Sequence, residues 1–125
     1  MNIVDAGVVV ELVAGNLDPN LLGAEDLAAP HLIDSEVTNV LRRLVRHGNL
    51  TGQQGGYAMD GFLGLSLTRY PADWLRPRMW ELRDNVTAYD ATYLALAELT
   101  RATALLTTDL RLAEAPGIRC RVVVL

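Results

Sequence analysis

Four acidic residues stand where an enzyme could use them: Asp5, Glu36, Asp90 and Asp109. Asp5 ends the apolar run Asn2-Ile3-Val4, and Asp109 follows the run that starts at Ala104. Glu36 and Asp90 fall in the first turns of two helix-like stretches. In an open parallel sheet, strand C-termini and the helix N-termini they feed share one edge, and that edge binds ligands. Taken singly, each acid has a plainer explanation. Asp5 can cap a helix, Thr87 and Asp90 have capping-box spacing, and Glu36 and Asp109 can complement helix dipoles for ~0.3–1 kcal/mol each. Together they need more. Two carboxylates ~4 Å apart repel by about 1 kcal/mol in water and about 4 kcal/mol at an effective dielectric of 20. Gathering four of them calls for a cation in their midst. The donors are all oxygen, with one cysteine in the chain and no suitably spaced histidine pair, which suits Mg²⁺ or Mn²⁺ and argues against zinc.

The elements that must position these acids can be read from periodicity. Asn2–Val4 predicts a strand, and Ala6–Val13 a helix ended near Gly15. Pro19 leads a short helix, and Leu27-Ala28-Ala29 a second strand. Apolar residues at 37, 40, 41, 44 and 45 form one face of a helix over 32–46, stopped by Gly48. Glycines at 52, 55, 56 and 61 each weaken a helix by roughly 1 kcal/mol relative to alanine, so 51–64 reads as a loose helix, with a strand at 65–68. Pro71 and Pro77 frame a helix ending near Asn85, and Thr87 opens another over 88–101. Strands at 104–106 and 119–124 flank a last short helix. Short apolar strands alternating with amphipathic helices give an α/β fold with a parallel sheet covered on both faces.

Composition narrows the function. At 125 residues and 50% apolar content the chain predicts one globular domain over 1–125. All eleven basic residues are arginines, which excludes Walker A phosphate binding and lysine Schiff-base chemistry. A net charge of −4 gives no broad basic footprint for nucleic acid, so such binding must use local arginines or a metal. Gly7, two residues after Asp5, excludes the paired acids of a haloacid-dehalogenase phosphatase, and no GxGxxG pattern is present. The apolar runs are too short to span a membrane, and Met1–Asp5 reads as mature protein, so a cytoplasmic location is expected.

Four blocks then carry a resemblance: Ile3-Val4-Asp5-Ala6, Asp34-Ser35-Glu36-Val37 with Asn39-Val40-Leu41-Arg42-Arg43, Tyr89-Asp90-Ala91-Thr92-Tyr93-Leu94-Ala95-Leu96-Ala97, and Leu105-Leu106-Thr107-Thr108-Asp109. In order and spacing they resemble PIN-domain ribonucleases, specifically the VapC-like toxins of type II toxin–antitoxin systems. The resemblance spans the chain. It implies a PIN-like three-layer α/β/α fold with a central parallel sheet of about five strands, usually as a homodimer. It also implies Mg²⁺- or Mn²⁺-dependent endoribonuclease activity and a cognate antitoxin that occludes the site. Asp5, Glu36, Asp90 and Asp109 match the acidic quartet that serves as catalytic and metal-binding set; Asp5 and Asp90 are the foremost candidates for direct ligands, Glu36 for a ligand or for orienting the attacking water, and Asp109 for completing a second site. Thr107 matches a hydroxyl residue that orients the last acid. The chain departs from the pattern at Gly7, where the family usually carries Ser, Thr or Asn. Ions held by these carboxylates would activate water, and with water and not the 2′-hydroxyl as nucleophile the expected products carry 5′-phosphate and 3′-hydroxyl ends. A second reading, a catalytically weakened PIN module that binds protein partners, draws on Gly7.

Arginines are the remaining candidates for RNA contact. Arg42, Arg43 and Arg46 lie on the Glu36 helix, and only Arg43 shares the face of Glu36 and Asn39. Arg76, Arg78 and Arg83 form a second cluster. Trp74 and Trp80 are expected to pack and Cys120 to be buried in the last strand, while His31 and His47 have no assigned role.

Overall fold

The computed structural model spans residues 1–125. Its five strands are β1 (Asn2–Val4), β2 (Leu27–Pro30), β3 (Thr68–Tyr70), β4 (Ala104–Thr107) and β5 (Val122–Val124). The α-helices are α1 (Ala6–Val13), α2 (Leu32–Arg46), α3 (Gly52–Gly64), α4 (Arg76–Glu81), α5 (Ala88–Leu99) and α6 (Leu110–Ala113), with 3-10 turns at Pro19–Leu22 and Asp73–Leu75.

All strands pair in parallel, in the order β3-β2-β1-β4-β5. The chain starts in the centre, steps outward through β2 to β3, then crosses back to β4 and outward to β5. Between β1 and β4 the strand order therefore reverses, and the crevice at such a reversal is where open α/β sheets place ligands. Asp5 directly follows β1 and Thr107 ends β4, one on each side of that crevice.

Burial explains the strand sequences. Ile3, Val4, Leu105 and Leu106 are covered on both faces, so the central strands read as continuous apolar runs. Helix α5 packs across β1, β2 and β4, while α1, α2 and α3 pack on one another, and the sheet lies between the two groups. The α5 sequence is buried from Ala91 to Ala97 without a break, wider than a single apolar stripe. One core of 26 buried residues ties these layers together. No helix is long and apolar enough to cross a membrane.

Four elements differ from the sequence reading. Residues 52–64 form a regular helix, not a loose one. Thr51 and Gln54 close a complete capping box at its start, with bonds of 3.1 and 2.8 Å. One of its glycines serves packing: a Cβ on Gly55 would lie 2.5 Å from Val45 Cγ2, so the missing side chain lets α3 close on α2. The third strand is shifted to 68–70, because Leu65 still closes α3 through its N–H to Phe62 O at 3.1 Å. The last strand is shorter than expected, since the Arg119 N–H turns to Glu98 Oε1 at 2.9 Å and leaves the ladder. The helix expected between Pro71 and Asn85 is a 3-10 turn followed by the short α4.

Candidate active site

Asp5 stands at the reversal point. Its backbone is extended, and Oδ1 accepts the Val8 N–H at 2.9 Å, so it caps α1. Its other oxygen, Oδ2, accepts the Thr107 hydroxyl proton from the neighbouring strand. Thr107 is fully buried, and the same hydroxyl oxygen accepts the Asp109 N–H at 3.0 Å. The Thr107 proton therefore goes to the first acid, and Thr107 touches the last acid only through its backbone. The resemblance implied that Thr107 orients the last acid, and its bond to that acid is to the Asp109 backbone N–H.

Glu36 enters from α2. The start of that helix is pinned by Asp34, which accepts two bonds from Arg69 of β3, at 2.8 and 2.7 Å. The pairing holds the Asp34 carboxyl below its ordinary range. Glu36 Oε1 then accepts the hydroxyl of Tyr93 at 2.6 Å. Tyr93 is buried in α5 one turn after Asp90, and burial together with Glu36 drives its titration far upward, so the phenol stays a donor. Asp90 occupies the third position of α5, where its N–H donates to the Thr87 hydroxyl at 3.2 Å. Asp109 caps α6 through the Arg111 N–H at 2.9 Å, and the Arg111 guanidinium stands 3.5 Å from the same oxygen.

The electrostatics link the four acids into a chain along the edge. Burial raises the Asp5 carboxyl above its ordinary range, its Thr107 and Val8 donors oppose that, and the charges of Asp90 and Glu36 raise it further. Asp90 is raised by burial and then by Asp109, against the pull of Thr87 and Arg111. None of the ion pairs involves Asp5, Glu36 or Asp90, and the one cation paired with Asp109, Arg111, is 92% exposed. The edge therefore gathers four acids against a single exposed cation, Arg111.

No three acid, histidine or cysteine side chains close into a ready-made ion cage. The donor set is an open one of carboxylate oxygens alone. It fits Mg²⁺, which is typically held by one or two carboxylates and otherwise by waters and substrate phosphates. Asp5 and Asp90, both half-buried and both raised, are the members of the set that would gain most from a cation.

Two grooves flank the acids. One, of about 560 Å³, is bordered by Glu36, Asn39, Arg43 and Tyr89. The other, of about 460 Å³, is bordered by Thr87, Asp90, Asp109 and Arg111. Arg43 thus lies beside the acids. Arg42 and Arg46 do not: they border a separate groove between α2 and α3 with Met59, as the helical wheel implied.

The second arginine cluster has structural work. Arg78 pairs with Glu98 at 2.7 Å with the two side chains 10% and 7% exposed, and it also donates to Gly117 O. Arg76 donates to Asp73 O, and Arg83 lies over the Trp80 ring at 4.6 Å. Trp80 is 68% exposed and Trp74 42%, so neither is the packing residue expected of it. Cys120 lies ahead of β5 and is half-buried, and burial pushes its thiol up to about 11.

Two participants escaped the sequence reading. Tyr93 carried a signal, a tyrosine three residues after Asp90 on a helix otherwise lined with Ala and Leu. Arg111 carried none beyond its place two residues after Asp109.

No family model matches the chain. Among curated proteins, ribonuclease VapC9 of Mycobacterium tuberculosis is 41% identical over 125 residues, covering 99% of this chain and 98% of its own. Ribonuclease VapC1 of the same organism is 41% identical over 129 residues, covering 96% and 94%. Among solved structures, VapBC2 of Rickettsia felis, bound to a DNA fragment from its promoter, superposes with a TM-score of 0.71 over 99% of this chain and 98% of that one, at 14% identity. The fold is accordingly PIN-like, and identity at this level over nearly the full length shows that the chain belongs to the VapC family of ribonucleases.

Proposed function

We propose that this protein is the endoribonuclease toxin of a toxin–antitoxin pair and hydrolyses RNA phosphodiester bonds with Mg²⁺, or Mn²⁺ in its place. One observation carries the reading: Asp5 sits at the strand-order reversal, held by Val8 and Thr107, with the charges of Glu36 and Asp90 upon it.

Asp5 and Asp90 would hold the ion, with Glu36 and Asp109 at either side. When bound, the ion polarises the scissile phosphate and lowers the pKa of water. The chain's own residues do the positioning. Thr107 fixes the Asp5 carboxylate, and Tyr93 fixes one Glu36 oxygen, leaving the other free to orient the attacking water. Arg43 offers a phosphate contact in the groove next to Glu36.

A small antitoxin would silence this site by placing an arginine among the acids, since a guanidinium satisfies carboxylates much as a metal does. A homodimer is part of the same proposal. Induction of the chain in bacteria, followed by mapping of new 5′ ends in cellular RNA, tests the function. Growth arrest with discrete new 5′-phosphate ends is the expected result, and arrest without new ends would reject it.

A further inference from the structure

The place above Gly7 is occupied from the other side of the crevice. A Cβ built on Gly7 would lie 2.6 Å from the Thr108 hydroxyl oxygen and 3.5 Å from Asp5 Oδ1. The Thr108 hydroxyl thus fills the space that a side chain at position 7 would take, next to the central carboxylate. Both Asp5 oxygens already have donors, Val8 N–H on one and Thr107 O–H on the other. Thr108 itself is exposed. Its hydroxyl makes no hydrogen bond within the protein, so its proton is available to something that arrives from solvent. A hydroxyl has one proton to give, and an anionic oxygen is the acceptor that gains most from it. Amid four carboxylates, an RNA phosphate is an anion short of donors.

We infer that Thr108 is a positioning residue that donates to a phosphate oxygen of RNA over Asp5, in the space left open by Gly7. The inference rests on the ribonuclease reading and deepens it. Position 7 and position 108 become alternative sources of one hydroxyl: a side chain at position 7 would push the Thr108 hydroxyl out of its place, and the site needs one of them.

The test is a hydroxyl swap, read by binding as well as by cleavage. Thr108→Ala, Thr108→Ser and Gly7→Ser/Thr108→Ala are compared with the wild type. Affinity for a short fluorescein-labelled single-stranded RNA is measured by anisotropy, and kcat and KM on the same RNA in Mg²⁺. T108A is expected to lose about tenfold in affinity, the loss of one hydrogen bond to a charged group, with melting temperature unchanged. T108S should bind like the wild type, and G7S/T108A should recover most of the loss. A purely structural role for Thr108 would not be rescued from position 7. Wild-type protein that binds the RNA without cutting it would reject the ribonuclease reading and leave the binding comparison intact. T108A binding as tightly as the wild type, failure of G7S/T108A to recover binding, or wild-type protein that binds no RNA would each overturn the inference.

Discussion

Tyr93 donates to Glu36 at 2.6 Å across 57 residues of chain, joining the helix that carries Asp90 to the helix that carries Glu36. The bond makes the distance between two of the acids a property of helix packing instead of side-chain chance. Tyr93→Phe keeps the buried ring and deletes the donor. The expected outcome is a stability loss of about 1 kcal/mol and a fall in kcat of at least tenfold with KM little changed. Denaturant unfolding and steady-state kinetics check it, and unchanged kcat would show that Glu36 needs no such tether.

Asp90→Asn should abolish cleavage and stabilise the metal-free protein. Solvent screening limits the gain to about 1 kcal/mol, a rise of a few degrees in melting temperature. The pH dependence has a definite sign. Asp90 and Asp5 are both raised above the ordinary value of 3.8, so the folded state holds their protons more tightly than the unfolded state does. Their contribution to stability is full below pH 3.8 and is lost as pH rises through the folded values. The advantage of D90N over the wild type should therefore grow as pH rises from 4 to 7 and vanish near the lower end. A D90N protein that melts several degrees below the wild type at pH 7 would show that Asp90 serves mainly as a helix-capping residue.

The two arginine groups should separate cleanly. Arg43→Ala is expected to leave melting unchanged and raise KM for RNA several-fold. Arg78→Ala leaves Glu98, 7% exposed, without its cation, and should cost about 3 kcal/mol of stability. Thermal melts beside RNA titrations distinguish the two, and an R43A protein with unaltered KM would remove Arg43 from the substrate path.

Much of this was legible in the sequence, for identifiable reasons. Buried parallel strands must be continuously apolar, so Ile3-Val4 and Leu105-Leu106 marked the sheet, and the acids that follow them marked the edge that carries the candidate site. Helix α3 was misjudged because glycine was weighed by its conformational cost alone. The close approach of Gly55 to Val45 is a tertiary fact with no local signature. Arg78 looked like its neighbours on the chain, and only its pairing with Glu98, twenty residues away, shows it to be structural. The Gly7 departure had no evident remedy in the sequence. Its counterpart, Thr108, lies about a hundred residues on and meets it only across the β1–β4 crevice.

Metal binding should be visible without turnover. Mg²⁺ at a hundred times its Kd stabilises a protein that binds it only when folded by ~2.7 kcal/mol. A clear rise in melting temperature is expected for the wild type and a much smaller one for D90N. Equal shifts in both proteins would place the ion elsewhere.

The central claim is most directly tested by incubating the purified protein with cellular RNA in Mg²⁺, in Mg²⁺ with excess EDTA, and as D90N in Mg²⁺. Cleavage in the first condition alone, with 5′-phosphate and 3′-hydroxyl ends, is the expected result. Equal cleavage in EDTA or by D90N would contradict a metal-dependent mechanism built on these acids.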